Sequence, residues 1–85
     1  MQIIGNVGAI QIGIEYSDDA RVLPSFHAGA DGHGARISID GLDVVDGWLS
    51  KDELAAVRAW AQTRLVLLLD RWEMSSRGRV VDPVR

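Results

Sequence analysis

The sequence contains no cysteine, only two prolines and no long apolar run, and these shortages exclude several classes of protein. Without cysteine there can be no disulfide framework, thiolate metal site or thiol nucleophile. The longest uninterrupted apolar run, residues 65–69, is five residues long, whereas a membrane-spanning helix needs about 20. The N-terminus lacks the basic start and the apolar stretch of a signal peptide, so we expect a cytoplasmic protein with no membrane contact.

The composition that remains is typical of one small globular domain. The 85 residues are 47% hydrophobic and 25% charged, which excludes disordered and low-complexity chains. A chain of this length is expected to form a single domain over residues 1–85. We place its strands within residues 2–49, a helix at about 51–74 and a C-terminal tail at 75–85.

Charge is distributed unevenly along the chain, which has a net charge of −3. Residues 1–57 carry nine acidic and three basic side chains, whereas residues 58–85 carry six arginines and three acids. An acidic body repels phosphates, and no basic stripe alternates with aromatics, so direct binding of nucleic acid is not expected. The charges either keep a small domain soluble or form an acidic edge that meets a basic partner. This acidic edge consists of Asp40, Asp43, Asp46, Asp52 and Glu53.

Alternating residues predict the strands. Between residues 9 and 16, one face carries Ile10, Ile12, Ile14 and Tyr16, which is typical of a strand covered on one side. Further strands are expected at 2–4, 26–28, 35–40 and 44–49, and residues 17–24 are expected to form a loop. Together they predict a small antiparallel sheet of three to five strands.

A capping box, Ser50 followed by Glu53, predicts the start of a helix. Apolar residues then recur at spacings of three and four, at Leu54, Val57, Ala61, Leu65, Leu68 and Trp72. The pattern indicates one long C-terminal helix packed on one face of the sheet, in an α+β fold.

The same helix carries a second apolar stripe, formed by Ala56, Trp60, Leu67 and Met74, with Arg64 and Arg71 between the two stripes. One sheet cannot cover both faces of one helix. Either the loop at 17–24 or the tail folds over the second stripe, or the stripe binds a second copy or another protein. In the second case the expected contact residues are Trp60, Arg64, Leu67 and Arg71.

Two histidines, His27 and His33, flank the glycine-rich turn at 29–34. Together they could act as acid and base on a phosphodiester, or bind a metal with Asp31. A third histidine and any fixed ligand spacing are missing, and a histidine beside glycine is most often a solvated turn residue. We therefore expect no catalytic residue, no metal, no cofactor and no enzymatic activity. The alternative is a toxin-like ribonuclease or RNA-binding domain that uses His27 and His33.

Several motifs follow one another in a recognisable order. They are the alternating strand ending at Tyr16, the pair Asp18-Asp19, the segment Pro24-Ser25-Phe26-His27, residues 35–40, Trp60-Ala61 and Trp72. Over residues 3–83 this order resembles a small bacterial family catalogued as domain of unknown function 4160. The chain departs from the family's usual P-P-H-F-H loop and has Ala59 and Arg71 where glutamate and asparagine are usual.

The resemblance implies strands that lead into a helix, and it implies a protein partner. Family members tend to lie beside small partner genes, in arrangements that look like toxin–antitoxin or mobile-element modules. His27 is the one histidine kept from the family's loop cluster, which favours binding over catalysis. We therefore expect a non-enzymatic protein-binding module of a bacterial or phage conflict or mobile-element system. It would act stoichiometrically as an antitoxin-like or inhibitor-like component, including an anti-CRISPR-type inhibitor that blocks a nucleic-acid-binding target.

Overall fold

The computed structural model describes residues 2–14 and 23–76, which form one sheet and two helices. The elements are β1 (Gln2–Val7), β2 (Ile10–Ile14), β3 (Ser25–Ala30), β4 (His33–Ser38), β5 (Val44–Gly47), α1 (Lys51–Gln62) and α2 (Leu65–Ser76). The strands lie in the order β1-β2-β3-β4-β5, and each neighbouring pair is antiparallel. The predicted α+β fold is confirmed. Tyr16 and most of the predicted loop and tail lie outside the described residues.

The core lies between the sheet and the helices. The alternation in β2 is confirmed, because Ile10, Ile12 and Ile14 are buried while Gln11 is exposed. The other large, fully buried side chains come from five further elements, and they are Ile4, Phe26, Ile37, Val57 and Leu68. Each such side chain contributes about 1.5–3 kcal/mol on burial, so the one covered face of the sheet is the main source of stability.

The predicted single helix is in fact two helices, because α1 ends at Gln62 and α2 begins at Leu65. In a continuous helix the Arg64 N–H would bond to the carbonyl of Trp60; here it bonds to Ala61 at 2.8 Å. The Arg64 guanidinium donates to the Trp60 carbonyl instead, at 2.7 Å. The side chain of Arg64 thus satisfies the carbonyl group that the break leaves open.

The size of the sheet gives a physical reason for this break. A straight helix over residues 51–76 would be about 39 Å long. Strands of four to six residues extend only about 13–20 Å, so a straight helix would leave much of its apolar stripe uncovered. With the break, α1 contacts β1 while α2 contacts β2 and β3. Neither helix of the described residues is long and apolar enough to cross a bilayer.

The junction between β5 and α1 depends on Gly47. This residue has φ +76°, and a Cβ built on it would lie 2.2 Å from the carbonyl oxygen of Gly34. The same carbonyl accepts the N–H of Trp48 at 3.0 Å. A side chain at position 47 would therefore strain the backbone and also separate β5 from β4.

We predict that Gly47→Ala lowers the free energy of unfolding by about 3–5 kcal/mol, since backbone strain and steric overlap add together. Gly32→Ala is the matched control, because Gly32 has φ +78° and nothing within 4 Å of an added Cβ. It should cost only about 1 kcal/mol. Chemical denaturation measures both values, and equal losses would contradict the close packing at Gly47.

Candidate functional site

The four expected contact residues, Trp60, Arg64, Leu67 and Arg71, differ in how far they are exposed. Trp60 is half-buried against the core, and the Arg64 guanidinium lies 5.0 Å from the centre of its ring. Arg71 is half-buried and forms an ion pair with Asp70. Leu67 alone of the four is classed as exposed. Trp60 lies on α1, Leu67 and Arg71 lie on α2, and Arg64 lies between the two helices.

An exposed apolar surface occurs instead on a different side of α2. Leu65, Val66 and Leu69 fall within about 100° of one another around the helix axis, and Val66 is 82% exposed. These three side chains line an open groove of about 500 Å³. The opposite wall comes from the start of β3 and the end of β4, at Leu23, Pro24 and Ile39, and Asp40 and Ser38 complete the lining. We call this the α2 groove.

The acidic edge is spread over three parts of the chain. Asp40 and Asp43 lie in the connection between β4 and β5, Asp46 lies in β5, and Asp52 lies in the first turn of α1. All four are exposed, and Asp40 also lines the α2 groove. Glu53 differs from them because it is half-buried and bonded within the domain.

Glu53 is bonded to His33, which lies 20 residues earlier in the chain. Glu53 Oε1 lies 2.6 Å from His33 Nε2 and accepts the Ser50 N–H at 2.8 Å, completing the predicted capping box. His33 Nδ1 lies 3.1 Å from the carbonyl oxygen of Asp31. Both partners of the imidazole are acceptors, so His33 makes both hydrogen bonds only when it is protonated on both nitrogens.

The ring of His33 also stacks on Trp48. The two ring centroids are 4.2 Å apart and the planes are inclined by 7°. Trp48 is nevertheless 61% exposed. Trp48 was expected in a strand at 44–49 and had no predicted role, whereas it follows the end of β5 at Gly47. The sequence did offer one indication that Trp48 is exposed. It is a large apolar residue that lies just before the capping box and belongs to neither helical stripe.

The two histidines lie on opposite faces of the sheet. The pairs Phe26–Ile37 and Ala28–Ala35 are buried under the helices. The pair Ala30–His33 follows in the same alternation, so His33 lies on the helix side of the sheet. His27 pairs with Arg36 and therefore lies on the other face. The arrangement does not bring the two imidazoles together for acid–base chemistry. Within residues 2–14 and 23–76 there is also no group of three side chains able to hold a metal ion.

These features define a small α+β domain with an open apolar groove and an exposed tryptophan beside acidic side chains. The chain belongs to the family described as Domain of unknown function (DUF4160), which it matches over residues 12–73. The resemblance noted in the sequence is thus confirmed. The match runs from β2 into α2 and includes both the α2 groove and Trp48. Neither the curated proteins nor the solved structures gave a match.

The His33–Glu53 pair makes the stability of the domain depend on pH. Its hydrogen bond raises the pKa of His33 above 6.5 and lowers the pKa of Glu53 below 4.5. The stabilisation from His33 is complete below pH 6.5 and is lost as the pH rises through its raised pKa. The stabilisation from Glu53 is complete above pH 4.5 and is lost as the pH falls through its lowered pKa.

We predict that Glu53→Gln, which preserves the capping box but removes the charge, lowers the Tm most between about pH 4.5 and 6.5. The difference from the wild type should shrink as the pH rises above 6.5 and through the raised pKa of His33, because His33 then loses its proton. Asp52→Asn, which removes the neighbouring charge, is the control. A Tm difference for Glu53→Gln that stays constant across this range would contradict the ion pair.

Proposed function

We propose that this chain is a non-enzymatic protein-binding module that acts stoichiometrically. It would be an antitoxin-like or inhibitor-like component of a bacterial or phage conflict system, or of a mobile-element system. The observation that supports binding is the α2 groove, where Leu65, Val66 and Leu69 are exposed beside an apolar wall. Contiguous exposed apolar surface on a small domain is typical of an interaction site.

The chemistry of the groove favours a protein segment as its occupant. Most of its lining residues are aliphatic, and burying such surface contributes about 25 cal/mol per Å². The charged lining residue is Asp40, which repels a phosphate group but can pair with a basic side chain. We therefore expect an apolar partner segment with a basic residue at its edge.

The acidic edge supports the finer proposal of an inhibitor directed at a nucleic-acid-binding protein. Asp43, Asp46 and Asp52 are exposed and carry the same sign of charge as a phosphate backbone. A surface of this kind can occupy a basic channel and raise the rate of association with it. An anti-CRISPR-type inhibitor would act in this way.

We predict that Val66→Asp weakens partner binding at least about tenfold, because it places a charge in the apolar contact. Val66 is 82% exposed, so the unfolding free energy should change by less than about 1 kcal/mol. Ala55→Asp is the matched control, since Ala55 is exposed on α1. The partner is isolated from host extract with wild-type protein and identified. Its dissociation constant is then measured with purified components.

The proposal requires a defined protein that binds at a fixed stoichiometry and is lost with Val66→Asp but kept with Ala55→Asp. Equal loss or equal retention in both variants would contradict binding through the α2 groove. Nuclease-sensitive binding that weakens steeply with salt would instead support the RNA-binding alternative.

A further inference from the structure

Trp48 is an exposed aromatic side chain at the junction between β5 and α1. Its side chain is 61% exposed, whereas Phe26 is buried and Trp60 and Trp72 pack partly buried against the core. The Trp48 indole is not part of the core, and it does not line the α2 groove. It stands at the turn end of the β3–β4 hairpin, next to His33, while the groove uses the opposite end of that hairpin.

A stacking contact and a main-chain hydrogen bond, both to β4, hold Trp48 in place. One ring face stacks on His33, which is itself bonded to Glu53 in α1 and to the carbonyl of Asp31 in the hairpin turn. The main chain is fixed by the Trp48 N–H bond to Gly34. A side chain that is already ordered loses little conformational entropy on binding, which is why rigid aromatic residues dominate many interfaces.

Two exposed acidic residues belong to the segments that adjoin Trp48. A parallel stack covers only one side of the ring system, so the second side faces solvent. Asp31 lies in the turn next to His33 and Asp52 lies in the first turn of α1, and both are exposed. Asp46 pairs with Arg36 on the opposite face of the sheet and does not belong to this group. The face of an aromatic ring has a negative potential and attracts cations, most strongly for tryptophan. The indole and the carboxylates therefore favour the same kind of ligand.

We propose that the exposed face of Trp48 binds an arginine side chain of a basic protein segment, with Asp31 and Asp52 as its electrostatic partners. Arginine fits better than lysine because its planar guanidinium stacks on an aromatic face. A second copy of this chain would bring the same carboxylates against one another, and a nucleic acid would bring phosphates. The inference rests on the proposed protein-binding function and names the chemistry of the partner.

The direct test titrates ¹⁵N-labelled protein with a synthetic peptide of alternating glycine and arginine, followed by NMR. A peptide with citrulline in place of arginine is the matched control, since citrulline has nearly the same shape without the charge. We expect the arginine peptide to shift the indole N–H signal of Trp48 and to leave those of Trp60 and Trp72 in place. The citrulline peptide should bind at least about tenfold more weakly.

Variants of the protein separate the indole from general attraction to an acidic surface. Trp48→Leu should weaken binding of the arginine peptide about tenfold, and Asp52→Asn about twofold to threefold. Asp70→Asn removes the same charge from an exposed position on α2 and should leave the affinity unchanged. Equal affinity for both peptides, or an unchanged affinity in Trp48→Leu, would overturn the inference. If Trp48→Leu does not fold, the indole N–H signals of wild-type protein decide, because general attraction to an acidic surface would not shift the Trp48 signal alone.

The test also distinguishes this inference from the proposed function. Val66→Asp should bind the arginine peptide as the wild type does, because the α2 groove and Trp48 are separate surfaces. One outcome is that Val66→Asp abolishes binding of the natural partner while the arginine and citrulline peptides bind wild-type protein equally well. The inference about Trp48 is then wrong, and binding through the α2 groove is supported. The converse outcome is that the arginine peptide binds more tightly than the citrulline peptide while Val66→Asp still binds the partner. Binding through the α2 groove is then contradicted, and arginine binding at Trp48 is supported.

Discussion

The small size of the sheet is the constraint on which the rest of the structure depends. Its strands are four to six residues long, and its one apolar face must be covered by a C-terminal segment of 26 residues in which only Thr63 and Arg64 are not helical. The segment therefore breaks, and the Arg64 side chain bonds to the carbonyl that the break exposes. Within α2, Leu68 reaches the core, whereas Val66, about 200° away around the helix axis, points to solvent. The α2 groove is a consequence of that arrangement.

A second contact fixes the other end of the molecule. Glu53 joins the start of α1 to the β3–β4 turn through His33, and His33 in turn orients Trp48. The same carboxylate caps the helix, so one side chain supports both a local and a long-range contact. Two exposed surfaces result, an aliphatic one at α2 and an aromatic one at Trp48, and a single extended partner could contact both. Both surfaces have acidic side chains nearby, which favours a basic partner.

The features fixed by local chemistry could be predicted from the sequence, and those that depend on distant contacts could not. The alternation in β2 and the Ser50–Glu53 capping box each involve neighbouring residues, and both were predicted correctly. The break at Thr63 was missed because apolar spacings of three and four continue through it. Glu53 was expected at a partner surface, but its contact with His33 spans 20 residues and depends on the turn of a hairpin. Trp48 could not be assigned for the same reason.

The most direct test of the account is to map, residue by residue, the surface that contacts the natural partner. Once that partner is purified, the backbone and indole NMR signals of labelled protein are compared between the free and the bound state. The account predicts the largest changes at residues 65–69 and at the Trp48 indole, with little change at His27 and Arg36 on the opposite face of the sheet. The largest changes at His27 and Arg36, with α2 and Trp48 unaffected, would contradict it.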